Sequence, residues 1–207
     1  MNIHTSISKK VAWNKGKLIG QKRPFKIKEI WAIRVHLELA NNVRELALFN
    51  LAIDSKLRAS DLVRLKINDI CHGSEISKRA MVLQKKTKQA VQFEITEQAR
   101  NSLKLWIDSK NLVSNDFLFP SRIKSSRHLS TRQYARIVNK WVVIIGLDPA
   151  DYGTHSLRRT KVTLIYRKTK NLRAIQLLLG HSKLESTVRY LGIEVDDALE
   201  MAEQTEV

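Results

Sequence analysis

Between Lys28 and Ala40 the apolar positions Ile30, Ile33, Leu37 and Ala40 recur at intervals of three and four, the period of a helix with one buried face. Val43, Leu46, Ala47 and Leu51 resume that period after a polar break. This second run is apolar nearly all round, which predicts a helix packed inside the domain rather than on its surface. The turn-like Asp54-Ser55-Lys56 follows, and a further short helix is expected from about Ala59. The period then changes. Lys66 to Ile70, Arg79 to Gln84 and Ala90 to Ile95 are short runs bounded by Gly73-Ser74 and by Lys85 to Gln89, and Val91, Phe93 and Ile95 alternate onto one face. They predict a small antiparallel sheet, with Cys71 a small residue at the end of a strand. Thr96 is placed to cap a helix to about Lys110, with Glu97 in the first turn where the helix dipole favours an anion. Asn115 to Pro120 reads as a loop or short extended piece. Ser130 caps a helix running towards Ile145 with the stripe Tyr134, Ile137, Val138 and Trp141, and Gly146 ends it. The fold class expected is mainly α with a small antiparallel β-sheet (α+β).

At 207 residues the chain can bury one sizeable core, with an appendage at each end. A net charge of +17 and a pI near 10.2 favour a polyanionic partner, and nucleic acid is the first candidate. Apolar runs such as Trp141 to Ile145 are far too short to span a membrane, and the first fifteen residues lack the apolar stretch of a signal peptide. The expectation is therefore no membrane and a cytoplasmic protein, nucleoid-associated when bound to DNA. A single cysteine excludes an internal disulfide and a Cys-rich zinc site. No cluster of metal ligands and no phosphate-binding glycine loop is visible, so no metal and no cofactor are expected. Lys9, Lys10, Lys15, Lys17, Lys22, Arg23 and Lys26 stand in an irregular N-terminal stretch without one acid. Arg122, Lys124, Arg127, Arg132 and Arg136 form a second such stretch. Both are candidates for contact with a phosphate backbone. Beyond Tyr190 the sign reverses: Glu194, Asp196, Asp197, Glu200, Glu203 and Glu206 accompany the helically spaced Val195, Ala198, Leu199 and Ala202.

The polar residues of 154–192 carry the chemistry. His155 and Arg158 in Thr154-His155-Ser156-Leu157-Arg158 are three apart, on one face of a helix, and can address a single phosphate. Gly180-His181 follows Arg158 at 23 residues, and Tyr190 follows His181 at nine. Acid/base groups, a planar guanidinium and a phenol are thus candidates for one site. The order H-x-x-R, G-H, Tyr resembles the tyrosine recombinases of the phage-integrase family. Leu57-Arg58-Ala59-Ser60-Asp61-Leu62, 97 residues before His155 at Arg58, resembles the family's first arginine motif, L-R-x-x-E/D-L. Lys85-Lys86-Thr87-Lys88 resembles its lysine hairpin, usually K-T-G, with Lys88 in place of the glycine.

The resemblance covers about residues 28–192 and implies the catalytic-domain fold of DNA breaking-rejoining enzymes. It implies Arg58, Lys86, His155, Arg158, His181 and Tyr190 as catalytic residues, with Asp61 helping to hold Arg58 and with Lys85 or Lys88 as alternatives to Lys86. Tyr190 would form a 3′-phosphotyrosine without ATP or metal. The partner implied is double-stranded DNA with paired half-sites, bound by a homo-oligomer of two to four copies. The division expected is a basic arm 1–27, a catalytic domain 28–192 and an acidic tail helix 193–207, which would fold on its own domain or dock on a neighbouring protomer. The separate front DNA-binding domain of many members is missing, as in short members of the size of the fimbrial-switch invertases. Two other functions suit the same fold: a DNA-binding regulator or accessory protein that does not cut, and a type IB topoisomerase-like relaxase.

Overall fold

A computed structural model of the protein describes residues 21–123, 127–192 and Glu203. Lys9, Lys10, Lys15, Lys17, Lys124 and, apart from Glu203, the acidic tail lie outside the described residues. The helices are α1 (Ile27–Leu39), α2 (Val43–Ser55), α3 (Ala59–Leu62), α4 (Glu97–Lys110), α5 (Thr131–Ile144), α6 (Thr154–Thr169), α7 (Leu172–Leu179) and α8 (Leu184–Leu191). The strands are β1 (Cys71–His72), β2 (Glu75–Ile76), β3 (Arg79–Leu83) and β4 (Ala90–Glu94).

Helix α2 is the axis of the domain. Eleven of its thirteen residues are buried, in keeping with a helix apolar nearly all round, and α1, α4 and α6 pack around it. Asn42 caps it by accepting the Glu45 N–H. Ala47, Leu48, Phe49 and Leu51 are fully enclosed in the main core. The stripe expected on α5 enters the same core: Trp141 meets Phe49 edge-to-face at 5.3 Å and donates its indole N–H to Glu45 Oε2 at 2.7 Å. Thr96 and Ser130 cap α4 and α5, accepting from Ala99 and Gln133.

The strand expected at Lys66 to Ile70 is instead a 3₁₀ turn over Ile67–Asp69. Ile67 and Ile70, both buried, are three apart, which is the repeat of that turn and not of a pleat. Asp69 closes it by accepting the Lys66 N–H at 2.8 Å. The single sheet expected is accordingly two antiparallel pairs, β1 with β2 and β3 with β4. Cys71 pairs with Ile76 in the first. In the second, Val82 faces Val91 and Ala80 faces Phe93, and Val91, Phe93 and Ile95 point into the protein as their alternation predicts. Phe117 in the extended piece bridges back to Lys66.

A second, smaller core lies at the C-terminal end. Val162, Tyr166, Ile175 and Leu179 form it, with Tyr190 and Leu191 packed against its edge. Helix α8 buries only Thr187 fully. No helix among the described residues is long and apolar enough to cross a membrane. Replacing Trp141 by Ala removes the largest fully enclosed side chain of the main core together with a buried hydrogen bond, and is expected to destabilise by about 3–5 kcal/mol. Chemical denaturation of Trp141→Ala beside Trp141→Phe, which keeps most of the packing, measures it; the Phe variant should lose clearly less.

Candidate active site

Helix α2 ends where the site begins. Lys56 terminates it in the left-handed conformation at φ 55°, and its side chain turns inward instead of out to water. The ammonium donates to the Asp54 carbonyl at 2.5 Å and pairs with Glu94 at 2.8 Å. Lys161 on α6 completes the cluster, 2.6 Å from Asp54 Oδ1 and 2.6 Å from Glu94 Oε1. Asp54 Oδ2 accepts the backbone and hydroxyl donors of Thr96. Burial lowers the Lys56 pKa despite Glu94. Burial also opposes the charges of Lys161 and Glu94, but their partners outweigh it, raising the first and lowering the second. Two cations and two carboxylates thus join the end of α2, β4, the cap of α4 and α6.

Arg158 lies next to this cluster and is buried. One nitrogen donates to the Lys56 carbonyl at 2.8 Å and another to the Leu179 carbonyl at 2.9 Å. Burial pushes its pKa down to about 10, so it stays charged at neutral pH. Arg58 caps the start of α3 and donates to Gln84 Oε1. Arg159 donates to the carbonyls of Lys22 and Leu191. All three guanidinium groups are held by neutral oxygens, and among the described residues none forms an ion pair. Their charge remains available to an anion.

Tyr190 stands over two of them, its ring centroid 5.8 Å from the Arg158 guanidinium carbon and 5.6 Å from that of Arg159. Its hydroxyl is buried, with Arg158 the donor that addresses it. Burial raises the phenol pKa against the opposing effect of the arginines, so attack requires a proton acceptor. His181 meets the Tyr190 ring edge-on at 5.5 Å, and its Nδ1 is 3.1 Å from Thr187 Oγ1. Gly180, at φ 65°, makes the turn before it; a Cβ there would lie 2.5 Å from Val91 Cγ2. Partial burial, then Arg158 and Arg58, push the His181 pKa down to about 4. The same causes, in that order, lower that of His155, which sits in the first turn of α6 where the helix dipole is positive.

The structure therefore gathers Arg58, His155, Arg158, His181 and Tyr190. Lys86 differs: it stands exposed in the Lys85–Thr87 turn, with no hydrogen bond or ion pair among the described residues. Lys88 takes the left-handed conformation at φ 55° in the position where a glycine was expected from the resemblance, so the turn keeps that shape without glycine. The Asp61 carboxylate forms no ion pair with Arg58 among the described residues; Asp61 meets that residue through its backbone N–H, which donates to the Arg58 carbonyl at 2.9 Å, while its Oδ1 accepts the Lys85 N–H at 3.1 Å and so pins the hairpin to α3. Lys22 and Arg23 do not extend from the domain: Lys22 donates to the Ala150 carbonyl and Arg23 pairs with Asp151 at 3.3 Å. Arg122, Arg132 and Arg136, joined by Arg44, line a cavity of about 460 Å³ at the N-terminus of α5. Arg127 is exposed nearby in sequence. Sequence reasoning missed Lys56, Gln84, Glu94 and Lys161. A lysine directly after an all-round apolar helix was the only hint. No group of three or more His, Cys, Asp or Glu among the described residues is placed to hold a metal.

Because folded His181 resists protonation until about pH 4 while an unfolded histidine accepts a proton near 6.5, the unfolded state gains protons as pH falls between these values. Stability should fall over that window, with His155 acting in the same direction. Melting temperatures from pH 8 to 4 should decline less steeply in His181→Gln than in the unaltered protein.

The family profile described as the Phage integrase family matches residues 25–195. The chain is 29% identical over 170 residues to the probable integrase/recombinase YoeC of Bacillus subtilis (strain 168), covering 82% of this chain and 88% of that protein. It is 32% identical over 152 residues to a tyrosine recombinase of Pseudothermotoga lettingae, covering 73% of this chain and 50% of that protein. The crystal structure of XerH site-specific recombinase bound to palindromic difH substrate, a post-cleavage complex, aligns with a TM-score of 0.68 at 23% identity, over 88% of this chain and 53% of that one. This chain thus spans most of the first relative but about half the length of the other two. With a profile match across most of its length and the H-x-x-R, G-H and Tyr elements meeting in space, the chain belongs to the phage integrase family.

Proposed function

We propose that this chain is a site-specific DNA recombinase that cuts and rejoins duplex DNA through Tyr190. The observation that carries the reading is the meeting of Arg58, Arg158 and Tyr190 at one place where, among the described residues, no carboxylate pairs with the guanidinium groups. A phosphodiester resists attack because it is an anion, so charge neutralisation and positioning are what a site must supply. Arg58 and Arg158 clamp the nonbridging oxygens, and His181 donates to the same phosphate. Tyr190 Oη attacks phosphorus as its proton passes toward His155. The bond from phosphorus to the 5′-oxygen breaks, and Lys86 protonates that oxygen, leaving a 3′-phosphotyrosine that a second DNA hydroxyl reverses. Lys86 reaches the leaving group only when DNA draws the hairpin toward the scissile phosphate.

The catalytic domain is residues 28–192, preceded by the basic arm 1–27 and followed by the acidic tail 193–207. Arg122, Arg127 and Arg132 contact the phosphate backbone, Lys9, Lys10, Lys15, Lys17 and Lys124 extend that contact, and Lys22 and Arg23 serve it from their docked position. The substrate is a pair of half-sites, each held by one copy in an assembly of two to four; the palindromic DNA bound by XerH supports this.

Duplexes selected from a randomised pool by binding to the protein, and resynthesised with a nick, supply a substrate that traps the adduct. The unaltered chain should form a denaturation-resistant complex, and Tyr190→Phe should bind equally and form none, since only the attacking oxygen is gone. An adduct with that variant would place the nucleophile elsewhere. Arg158→Lys keeps the charge but cannot make two parallel bonds, and should slow cleavage on the order of 10²-fold or more, read by single-turnover kinetics.

A further inference from the structure

Gln84 takes no part in the proposed chemistry, yet it is fully buried just before the lysine turn. Its Oε1 accepts from Arg58 and, at 2.8 Å, from the Thr87 hydroxyl; its Nε2 donates to the Leu179 carbonyl at 3.2 Å. That carbonyl also receives Arg158. One amide thus meets the first arginine, the hairpin carrying Lys86 and the corner that leads through Gly180 to His181. We infer that Gln84 is a positioning residue that holds Arg58, the lysine hairpin and the Leu179–Gly180–His181 corner in one register. The inference rests on the roles proposed above for Arg58 and Lys86.

Closing the hairpin does not account for this side chain. The Gln84 backbone already does so, its N–H donating to Gln89 and its carbonyl accepting from Lys88, each at 2.9 Å. Nor does filling space, because burying an amide is costly unless it is bonded, and an apolar side chain would fill the volume without that cost. Thr87 belongs to the turn itself, but Arg58 and Leu179 lie 26 and 95 residues away, so the turn alone does not bring the three together. The fit on the third side is tight: a Cβ on Gly180 would stand 3.3 Å from Gln84 Oε1 as well as colliding with Val91. Asp61 holds the other base of the turn at Lys85. The hairpin is thereby tied to α3 twice, once by Asp61 through backbone and once by Gln84 through Arg58.

The arms of the hub are separable by experiment. Thr87→Val severs only the hairpin arm, while Gln84→Met severs all three at nearly constant volume. On the selected nicked duplex, Gln84→Met should slow single-turnover adduct formation by roughly 10²-fold, the scale of a misplaced catalytic group, with DNA affinity within about threefold of the unaltered protein. Substrate with sulfur at the bridging 5′ position, which leaves without a proton, should restore Thr87→Val as fully as it restores Lys86→Ala. It should restore Gln84→Met only in part, since Arg58 remains displaced. Unchanged cleavage by Gln84→Met, or a parallel fall in cleavage, DNA affinity and melting temperature that sulfur does not relieve, would overturn the inference. A melting-temperature cycle of Gln84→Met with Arg58→Ala tests the coupling without any DNA: a non-additive shift supports it and additivity overturns it. Absence of adduct from the unaltered protein on every selected duplex, beside a non-additive cycle, would instead defeat the recombinase reading and leave the physical coupling standing.

Discussion

The cluster of Lys56, Glu94, Lys161 and Asp54 is the constraint on which the site depends. A lysine with its side chain wholly inside a protein is costly unless its charge is matched, and leaving one such partner alone is worse than never having the pair. Here matching the charge fixes the left-handed turn at Lys56, whose carbonyl is then aimed at Arg158 and whose chain delivers Arg58 two residues later. The same carboxylates hold α6 through Lys161, six residues after His155 on α6 and three after Arg158. Both arginines are therefore placed by one buried arrangement, and neither relies on its own flexible stem.

Charge is apportioned with the opposite logic inside and outside the site. The cluster pairs its cations with carboxylates. Among the described residues Arg58, Arg158 and Arg159 meet neutral oxygens, which orient a guanidinium without cancelling it. Asp61, the nearest acid in sequence to Arg58, spends its carboxylate on a backbone N–H of the hairpin. Partial burial, reinforced by the surplus positive charge, keeps both histidines neutral and hydrogen-bond capable at physiological pH, while burial keeps the phenol protonated. An arriving phosphate would lower the field that maintains this state, which couples binding to activation of the groups around it.

Packing divides the domain unevenly. The arginines rest on the main core around α2, whereas Tyr190 rests on the smaller core of α6 to α8, where α8 buries one residue fully. Helices with few buried contacts open at lower free energy than those in the main core. Tyr190, the proposed nucleophile, thus sits on the part of the domain with fewer buried contacts, and the arginines proposed to receive phosphate sit on the main core.

The sequence by itself determined the helices of the main core, since the spacing of Ile30, Ile33 and Leu37 or of Tyr134, Ile137 and Trp141 is local and repeats within a few residues. It determined the caps Thr96 and Ser130 for the same reason, and it placed His155 and Arg158 on one helical face. At Lys66 to Ile70, by contrast, the three-residue apolar spacing belongs to a 3₁₀ turn and not to the strand expected there. Only the tertiary structure decided that Gln84 touches Arg58 and Leu179, that Asp61 turns to Lys85 and that Lys56 points inward. Those facts join residues up to 95 positions apart. A lysine after a helix or a glutamine before a turn is compatible with solvent at either place; which of them is buried follows from the chain's folding three distant segments onto one another, and no local pattern encodes that.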